Sequence, residues 1–282
     1  MAKMAIVYDI VRQEEKMLMK EASERGFEVA MLNLDHTYFN LSNKESLPYD
    51  VALQRSISYF RSLHSTKVLE DFGVKVINSF YTTLISGNKL FTTLALEKAG
   101  VPTPKTLLAF SEEQAIKATN ELGYPAVLKP VIGSWGRLVS ALNDEESTKA
   151  ILESRKFMHP LYQIYYIQKR ISRPPRDIRS YVIGDQYVTA IYRYSPPGDW
   201  RTNTAISGRA EPCPKSKELE DLSIKAAKAV NAEYIGVDFM ESQNGLVVHE
   251  VNSSTEFKNT VRVTGVNIPK LIIDHIYSLI RR

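Results

Sequence analysis

Residues 234–252 read YIGVDFMESQNGLVVHEVN, and this stretch decides the fold. Two apolar runs, IGV before Asp238 and LVV before His249, flank the turn residues Gln243-Asn244-Gly245. Apolar runs on either side of a short glycine-containing loop predict a β-hairpin. A three-residue loop with Gly245 in the left-handed region sets Ser242 opposite Leu246, and therefore Asp238 opposite Glu250. Side chains alternate along a strand, so Glu250 and Asn252 share a face. Asp238, Glu250 and Asn252 then converge. Charged groups at the end of an apolar strand cost free energy unless something binds them. Two carboxylates and an amide suit Mg²⁺, which takes one or two protein carboxylates beside phosphate oxygens. The plain alternative is a solvated edge hairpin, and the apolar residues leading into both carboxylates argue against it.

Outward from the hairpin, the chain divides into three. In residues 1–87, apolar strands at 4–8, 27–32, 50–54 and 74–78 alternate with helical segments at 13–25 and 64–72. That alternation predicts an α/β unit with a parallel, doubly wound sheet. Residues 88–167 read as a small α+β unit. It has a helix over 90–100, an edge strand after Pro102 and Pro104, a helix opening at Ser111, a strand–loop–strand over 124–139 and a helix over 144–155. Residues 168–282 add strands at 176–183 and 186–194, the hairpin, and helices over 216–231 and 268–280. A loop of 20 residues, SPPGDWRTNTAISGRAEPCP, separates the second of these strands from the first of these helices. Loops of that length are functional or disordered.

The chain has 282 residues, 44% hydrophobic and 24% charged, the composition of an ordinary globular protein. No apolar run approaches the ~20 residues that span a bilayer. The N-terminal MAKMAIVYDI lacks a cleavage pattern and reads as a first strand. Cys213 is the single cysteine, which excludes intrachain disulfides and points to the cytoplasm. It lies between two prolines with no histidine near it in sequence, so it is not a candidate nucleophile. A net charge of +4 and a pI of about 8.9 are too weakly basic to indicate nucleic acid, but suit an anionic substrate or an acidic protein partner.

Two further clusters carry chemistry. In LKPVIGSWGR, residues 128–137, Lys129 ends an apolar strand and Gly133-Ser134-Trp135-Gly136 follows. A small loop can turn backbone N–H groups toward phosphate oxygens, with lysine as the point charge; a simple hairpin turn is the other reading. Arg179, Arg193 and Arg201 lie around the long loop with Asn203 beside the last, and arginine binds carboxylate or phosphate bidentately. Neither GxxxxGK[ST] nor GxGxxG occurs, and nothing resembles a Ser-His-Asp set or a zinc site. Phosphoryl transfer needs positioning and charge neutralisation, which these residues can supply.

In the order Lys89, Lys129, GSWGR, QKRI, Asp238 and Glu250-Val-Asn252, the chain resembles the ATP-grasp ligases from end to end. With KPVIGSWGRL, RDIRSYVIG, IYRYS, TNTA and EFKN it is similar to the branch that joins amino acids to a protein's C-terminal glutamate, the LysX-type α-aminoadipate–carrier protein ligases of lysine biosynthesis. The resemblance implies an ATP-grasp fold, with an N-terminal doubly wound domain and two α+β subdomains clamping ATP. It implies Lys89 and Lys129 on the phosphates, Ser134, Trp135 and Gly136 in the small loop over them, and Gln168, Lys169 and Ile171 at the hinge against adenine. Asp238, Glu250 and Asn252 become the Mg²⁺ ligands. The reaction passes through an acyl phosphate on the γ-carboxylate of the carrier's C-terminal Glu, and the α-amino group of the substrate then attacks.

By the same resemblance, Arg193, Arg201 and Asn203 stabilise the acyl phosphate or hold substrate carboxylates. Glu256, Phe257, Asn259 and Thr260 turn into the amino-acid pocket. Aminoadipate enzymes carry Asn-Thr or Asn-Ser where Asn259-Thr260 stands, and the glutamate-specific ArgX relatives carry Gly-Phe, whose ring would shorten the pocket. One departure stands out: Ile206-Ser207-Gly208, then Arg209, replaces the Arg-Gly-Gly of many relatives after TNTA. One methylene is worth only about 1–3 kcal/mol of discrimination, so a glutamate ligase, or an enzyme accepting both amino acids, is the alternative. The implied partner is a small, acidic, zinc-containing carrier protein, with Arg173 and Arg176 as candidate docking residues. Relatives imply a homo-oligomer, dimer or tetramer; neither nucleic acid nor membrane is expected as a partner.

Overall fold

The computed structural model describes residues 1–42, 46–133, 135–196, 198 and 209–281, and among these it forms three sheets. The first contains β1 (Lys3–Tyr8), β2 (Glu28–Asn33), β3 (Val51–Gln54) and β4 (Lys75–Ile77), all parallel, in the order β2-β1-β3-β4. Helices α1 (Gln13–Arg25), α2 (Tyr59–Asp71) and α3 (Phe80–Ser86) complete this unit. Met4 and Ile6 face one core and Ala5 and Val7 another. Burial on both faces is why these strands are continuous apolar runs rather than alternating ones. Helix α2 starts five residues before the sequence reading, at a cap where Ser58 accepts from the Arg61 backbone N–H.

The second sheet follows α4 (Lys89–Lys98). It contains β5 (Thr106–Ala109), β6 (Ala126–Lys129), β7 (Ser140–Leu142) and β8 (Tyr165–Lys169), antiparallel, ordered β5-β8-β6-β7, with α5 (Glu112–Leu122) and α6 (Glu145–Lys156). The third is also antiparallel: β9 (Arg176–Ile183), β10 (Gln186–Tyr194), β11 (Ala210–Pro212), β12 (Tyr234–Ser242) and β13 (Gly245–Asn252), ordered β11-β10-β9-β12-β13. Ile178 and Val182 of β9 pack with Leu219 and Ala226 of α7 (Lys217–Ala229). Two helices close the chain, α8 (Lys258–Thr264) and α9 (Ile268–Ile280). The sequence reading had no α8. The last helix packs back on the first unit: Leu18, Ile272, Ile273 and Ile276 share one core with Met4, Tyr181, Tyr234 and Phe257. None of the described helices is long and apolar enough to cross a membrane.

The deciding hairpin forms, with one correction. Ser242 pairs with Gly245, not Leu246, so the connection is two residues long. Asp238 nevertheless pairs with Glu250, because the register shifts between Phe239–Val248 and Asp238–Glu250. This is a β-bulge with one extra residue on β13, and it offsets the shorter turn. Leu246, Val248 and Val251 all pack in the core, and the three-residue step between the last two marks the bulge.

Gly236 pairs with Asn252, and a Cβ there would stand 2.4 Å from Thr255 Oγ1 and 2.9 Å from Thr255 Cβ. Gly236→Ala must therefore push away the loop that follows Asn252. The expected cost is about 1–3 kcal/mol, read as a lowered denaturation midpoint; an unchanged midpoint would show that the loop yields freely.

Candidate active site

The hairpin and its neighbours bring charges together by register alone. Asp238 on β12 lies opposite Arg179 on β9 and opposite Glu250 on β13, and Arg193 on β10 lies opposite Asp177 on β9. Residues two apart on a strand share a face, so Asp177 and Arg179 stand side by side. Arg179 grips Asp238 bidentately, Nε and Nη2 each 2.6 Å from a carboxylate oxygen. Arg193 holds Asp177 the same way at 2.7 Å and reaches Asp238 Oδ2 at 2.9 Å. Burial alone would raise the Asp238 pKa, but the two guanidinium groups outweigh it and hold the carboxyl well below its usual range. Asn252 Nδ2 lies 3.4 Å from Asp238 Oδ2. Among the described residues, no group of three or more His, Cys, Asp or Glu is gathered to hold a metal. The available donor set is two carboxylates and one amide, which matches Mg²⁺ in kind.

A cavity of about 550 Å³ lies between the second and third sheets. Lys89, Lys129, Trp135, Gly136, Gln168, Lys169 and Ile171, every described residue that the sequence reading gave to ATP, line it. Lys89 reaches it because Asn88 caps α4 and starts the helix there, and its Nζ lies 2.7 Å from Gly133 O and 3.3 Å from Glu250 Oε1. Lys129 Nζ lies 2.6 Å from Gln168 Oε1. Val127, Val139, Ile171 and Met240 supply an apolar wall. Two buried polar atoms in this lining, Ser195 Oγ and His249 Nε2, have no hydrogen-bond partner among the described residues. Apolar walls, two lysines and unsatisfied buried polar atoms fit a nucleotide triphosphate.

Burial pushes the Lys129 ammonium down to about 8; Lys89 adds to the shift and Glu250 opposes it. ATP affinity is expected to fall as pH rises from about 7 to 9, as this charge is lost, and Lys129→Arg should flatten that slope. A titration of ATP binding across this range checks it, and an equal slope in both proteins would remove Lys129 from the phosphates.

A second cavity, of about 560 Å³, adjoins the first and reaches the N-terminal unit. Asp238, Arg179, Arg193 and Asn252 line it at one end, and Arg12, Ser56 and Ser58 contribute from the first unit. Lys89, Gly133, Trp135, Gly136, His249 and Glu250 line both cavities. The loop after Asn252 is tied to the first unit by residues that sequence reasoning missed. Asn78 donates to Ser253 O at 2.9 Å, the fully buried Arg55 donates to Thr255 O at 3.1 Å, and Glu14 accepts the Lys258 backbone N–H at 3.2 Å.

The expected amino-acid pocket is only partly assembled from the residues named for it. Glu256 lines the second cavity, while Phe257, Asn259 and Thr260 are not among its walls. Phe257 is fully buried in the shared core, and Thr260 is fully buried with its hydroxyl donating to Tyr181 Oη at 2.8 Å. The reason for these two is α8: Phe257, its N-cap residue, and Thr260, in its first turn, turn inward to pack against β9 and the first unit. Arg176 is held by Glu241 at 2.7 and 2.8 Å, and Arg173 lines the nucleotide-sized cavity. Ser134, Arg201, Asn203 and Ile206-Ser207-Gly208 lie outside the described residues. His249 was also missed; burial, with Lys129 nearby, pushes its pKa well below the usual histidine value, Asp238 opposing.

Comparison with known proteins places the chain in a family. The family model described as the RimK-like ATP-grasp domain matches residues 86–276, and that of the LysX preATP-grasp domain matches residues 4–85. The chain is 38% identical over 284 residues to the α-aminoadipate–LysW ligase LysX of Sulfurisphaera tokodaii, covering 99% of each chain. It is 35% identical over 276 residues to the glutamate–LysW ligase ArgX of the same organism, covering 97% of this chain and 98% of that one. The crystal structure of a RimK domain ATP-grasp protein from Sphaerobacter thermophilus aligns with a TM-score of 0.81 at 22% identity, covering 97% and 99%, a likeness of fold.

Proposed function

The chain belongs to the RimK-like ATP-grasp family, and from that premise we propose that it is an ATP-dependent carboxylate–amine ligase of lysine biosynthesis. It joins the α-amino group of α-aminoadipate to the γ-carboxyl of the C-terminal Glu of a small, acidic, zinc-containing carrier protein. The observation that carries this reading is the junction of the two cavities at Lys89, His249 and Glu250. A phosphate donor in one cavity and an amine in the other would meet there. The near full-length likeness to an α-aminoadipate–LysW ligase supplies the substrate pair.

The carrier's carboxylate takes the γ-phosphoryl group and ADP leaves. The substrate amine then attacks the acyl carbon, the carbon–oxygen bond to phosphate breaks, and the ammonium proton is lost as phosphate departs. Lys89 and Lys129 hold the phosphates under the loop of Ser134, Trp135 and Gly136, and Gln168, Lys169 and Ile171 flank adenine. Asp238, Glu250 and Asn252 would hold Mg²⁺, which would supply positive charge to offset that of the phosphates. Arg193, Arg201 and Asn203 offset the negative charge that develops on the acyl oxygen as the amine attacks. The single cysteine suits a reducing cytoplasm, and a homo-oligomer is the expected assembly.

Without hydroxylamine, continued ADP release beyond one equivalent per enzyme should require both the carrier and α-aminoadipate, and a carrier lacking its C-terminal Glu should support none. ADP formation with that truncated carrier, at the intact carrier's rate, would contradict the assignment. The second reading, a glutamate ligase of arginine biosynthesis or an enzyme accepting both, is favoured by the 35% identity to the ArgX relative, close to the 38% for LysX.

A further inference from the structure

We propose that Arg12, with Ser56 and Ser254, forms the subsite for the distal carboxylate of the acceptor amino acid, and that Glu256 occupies the subsite until this carboxylate displaces it. The inference rests on the ligase reading and adds to it the residues that measure the acceptor's length.

The acceptor's amine must reach the junction of the cavities, where the acyl group is presented. Its α-carboxylate is attached to the same carbon and stays near that end. The distal carboxylate, three methylenes further along, is the group left to meet the part of the wall that the first unit supplies. At the junction, the cations already face carboxylates: Lys89 faces Glu250, Arg179 faces Asp238, and Arg193 faces Asp177 and Asp238. Arg12 lines the same cavity from the first unit, at the head of α1.

The guanidinium of Arg12 is already oriented. Its Nε and Nη2 bind the fully buried Glu15 at 3.2 and 2.8 Å, and Glu15 is itself fixed by Arg55 at 3.0 Å. Nη1 lies on the remaining edge and faces Glu256 Oε1 at 3.5 Å, long for a hydrogen bond. Two hydroxyls in the lining, Ser56 Oγ and Ser254 Oγ, are buried with no hydrogen-bond partner among the described residues, and Ser56 is only 3% exposed. A buried hydroxyl without a partner is unfavourable, and a ligand oxygen would satisfy it. Nη2 also donates to Arg55 O at 3.2 Å, which leaves Nη1; this one charged nitrogen and two hydroxyl donors are a donor set for a carboxylate.

Thr260 cannot serve instead. Its hydroxyl donates to Tyr181, and the Tyr181 hydroxyl donates to Glu256 O at 2.7 Å. That chain of bonds fixes the Glu256 backbone and leaves the Glu256 side chain to compete for Arg12. An acceptor without a distal carboxylate leaves Glu256 in place, which is how the subsite rejects it.

The test uses the full-length protein with ATP, Mg²⁺ and the carrier. Hydroxylamine traps the activated carrier as a hydroxamate, which reads the first half-reaction without any amino acid. α-Aminoadipate and 2-aminohexanoate, which has a methyl group in place of the distal carboxylate, read the second half. Arg12→Gln should raise KM for α-aminoadipate by about 10²-fold, with hydroxamate formation and the slow use of 2-aminohexanoate each within about threefold of wild type. Ser56→Ala, which loses no bond in the resting protein, should raise the same KM by about five- to tenfold at an unchanged melting temperature. Unchanged KM in both variants, or an equal loss with 2-aminohexanoate, would overturn the subsite while the ligase reading stands. If Arg12→Gln fails to fold, Ser56→Ala decides alone. Absence of hydroxamate in the wild-type protein would instead overturn the ligase reading.

Discussion

Glu250→Gln is expected to lower the rate of carrier modification by at least about 10³-fold while leaving the fold intact. Glu250 stands where the two cavities meet, opposite Asp238 across the hairpin, and among the described residues its side chain is held by Lys89 at 3.3 Å. Glutamine keeps the shape and removes the negative charge. A metal bound there would lose one of two anionic ligands, and Lys89 would lose the anion that orients it. Because the carboxylate is partly solvated and makes a single ion pair, the melting temperature should move by no more than about 2 °C. Single-turnover measurement of carrier modification, beside a thermal melt, checks both statements. An active Glu250→Gln enzyme would remove Glu250 from the metal assignment. An inactive enzyme with a much lower melting temperature would make the defect one of folding.

Asp238→Asn should cost stability as well as activity. Asp238 is 1% exposed, and both its oxygens accept from arginine. The amide leaves two buried guanidinium groups sharing one fewer anion. Arg193 keeps Asp177, but Arg179 loses the carboxylate that holds it. Removing one partner of a buried ion pair typically costs about 3–5 kcal/mol, because the remaining charge is still buried. In a chain of this size that corresponds to roughly 10 °C in the melting temperature. Adding Arg179→Gln to Asp238→Asn should recover part of the loss, since the stranded charge is then gone, and a double-mutant cycle measures this coupling. A loss below about 1 kcal/mol for the single variant would show that the cluster is not stabilised by its charges.

How much of this was legible in the sequence depends on the range of each interaction. Residues 176–183, 186–194 and 268–280 form the expected elements with the expected ends, because apolar period and turn residues are local signals. The pairing of Asp238 with Glu250 was reached through a turn one residue too long, and the bulge at His249 restored it. That bulge left a trace, the apolar step from Val248 to Val251, which the simple alternation rule overlooks. Helix α8 left less: seven residues with no clear apolar period, closed by Gly265 in the left-handed conformation. In the lining of the nucleotide-sized cavity, Lys129 was marked by its residue type at a strand end, whereas Lys89, Gln168, Lys169 and Ile171 were named through the resemblance alone. The far wall of the second cavity was not. Arg55 reaches Thr255 across 200 positions and Asn78 reaches Ser253 across 175, and no periodicity or spacing encodes such contacts. Arg12 and Ser56 were missed for the same reason: nothing beside them in sequence marks them as lining the cavity that Glu256 lines.

The most direct measurement of the central claim is the intact mass of the carrier after incubation with this protein, ATP and Mg²⁺, with α-aminoadipate and glutamate offered in separate reactions. The account predicts a mass gain of one α-aminoadipyl residue in the first reaction and no gain with glutamate at equal concentration. A gain with glutamate alone would contradict the acceptor assignment, and no gain with either amino acid would contradict the ligase assignment itself.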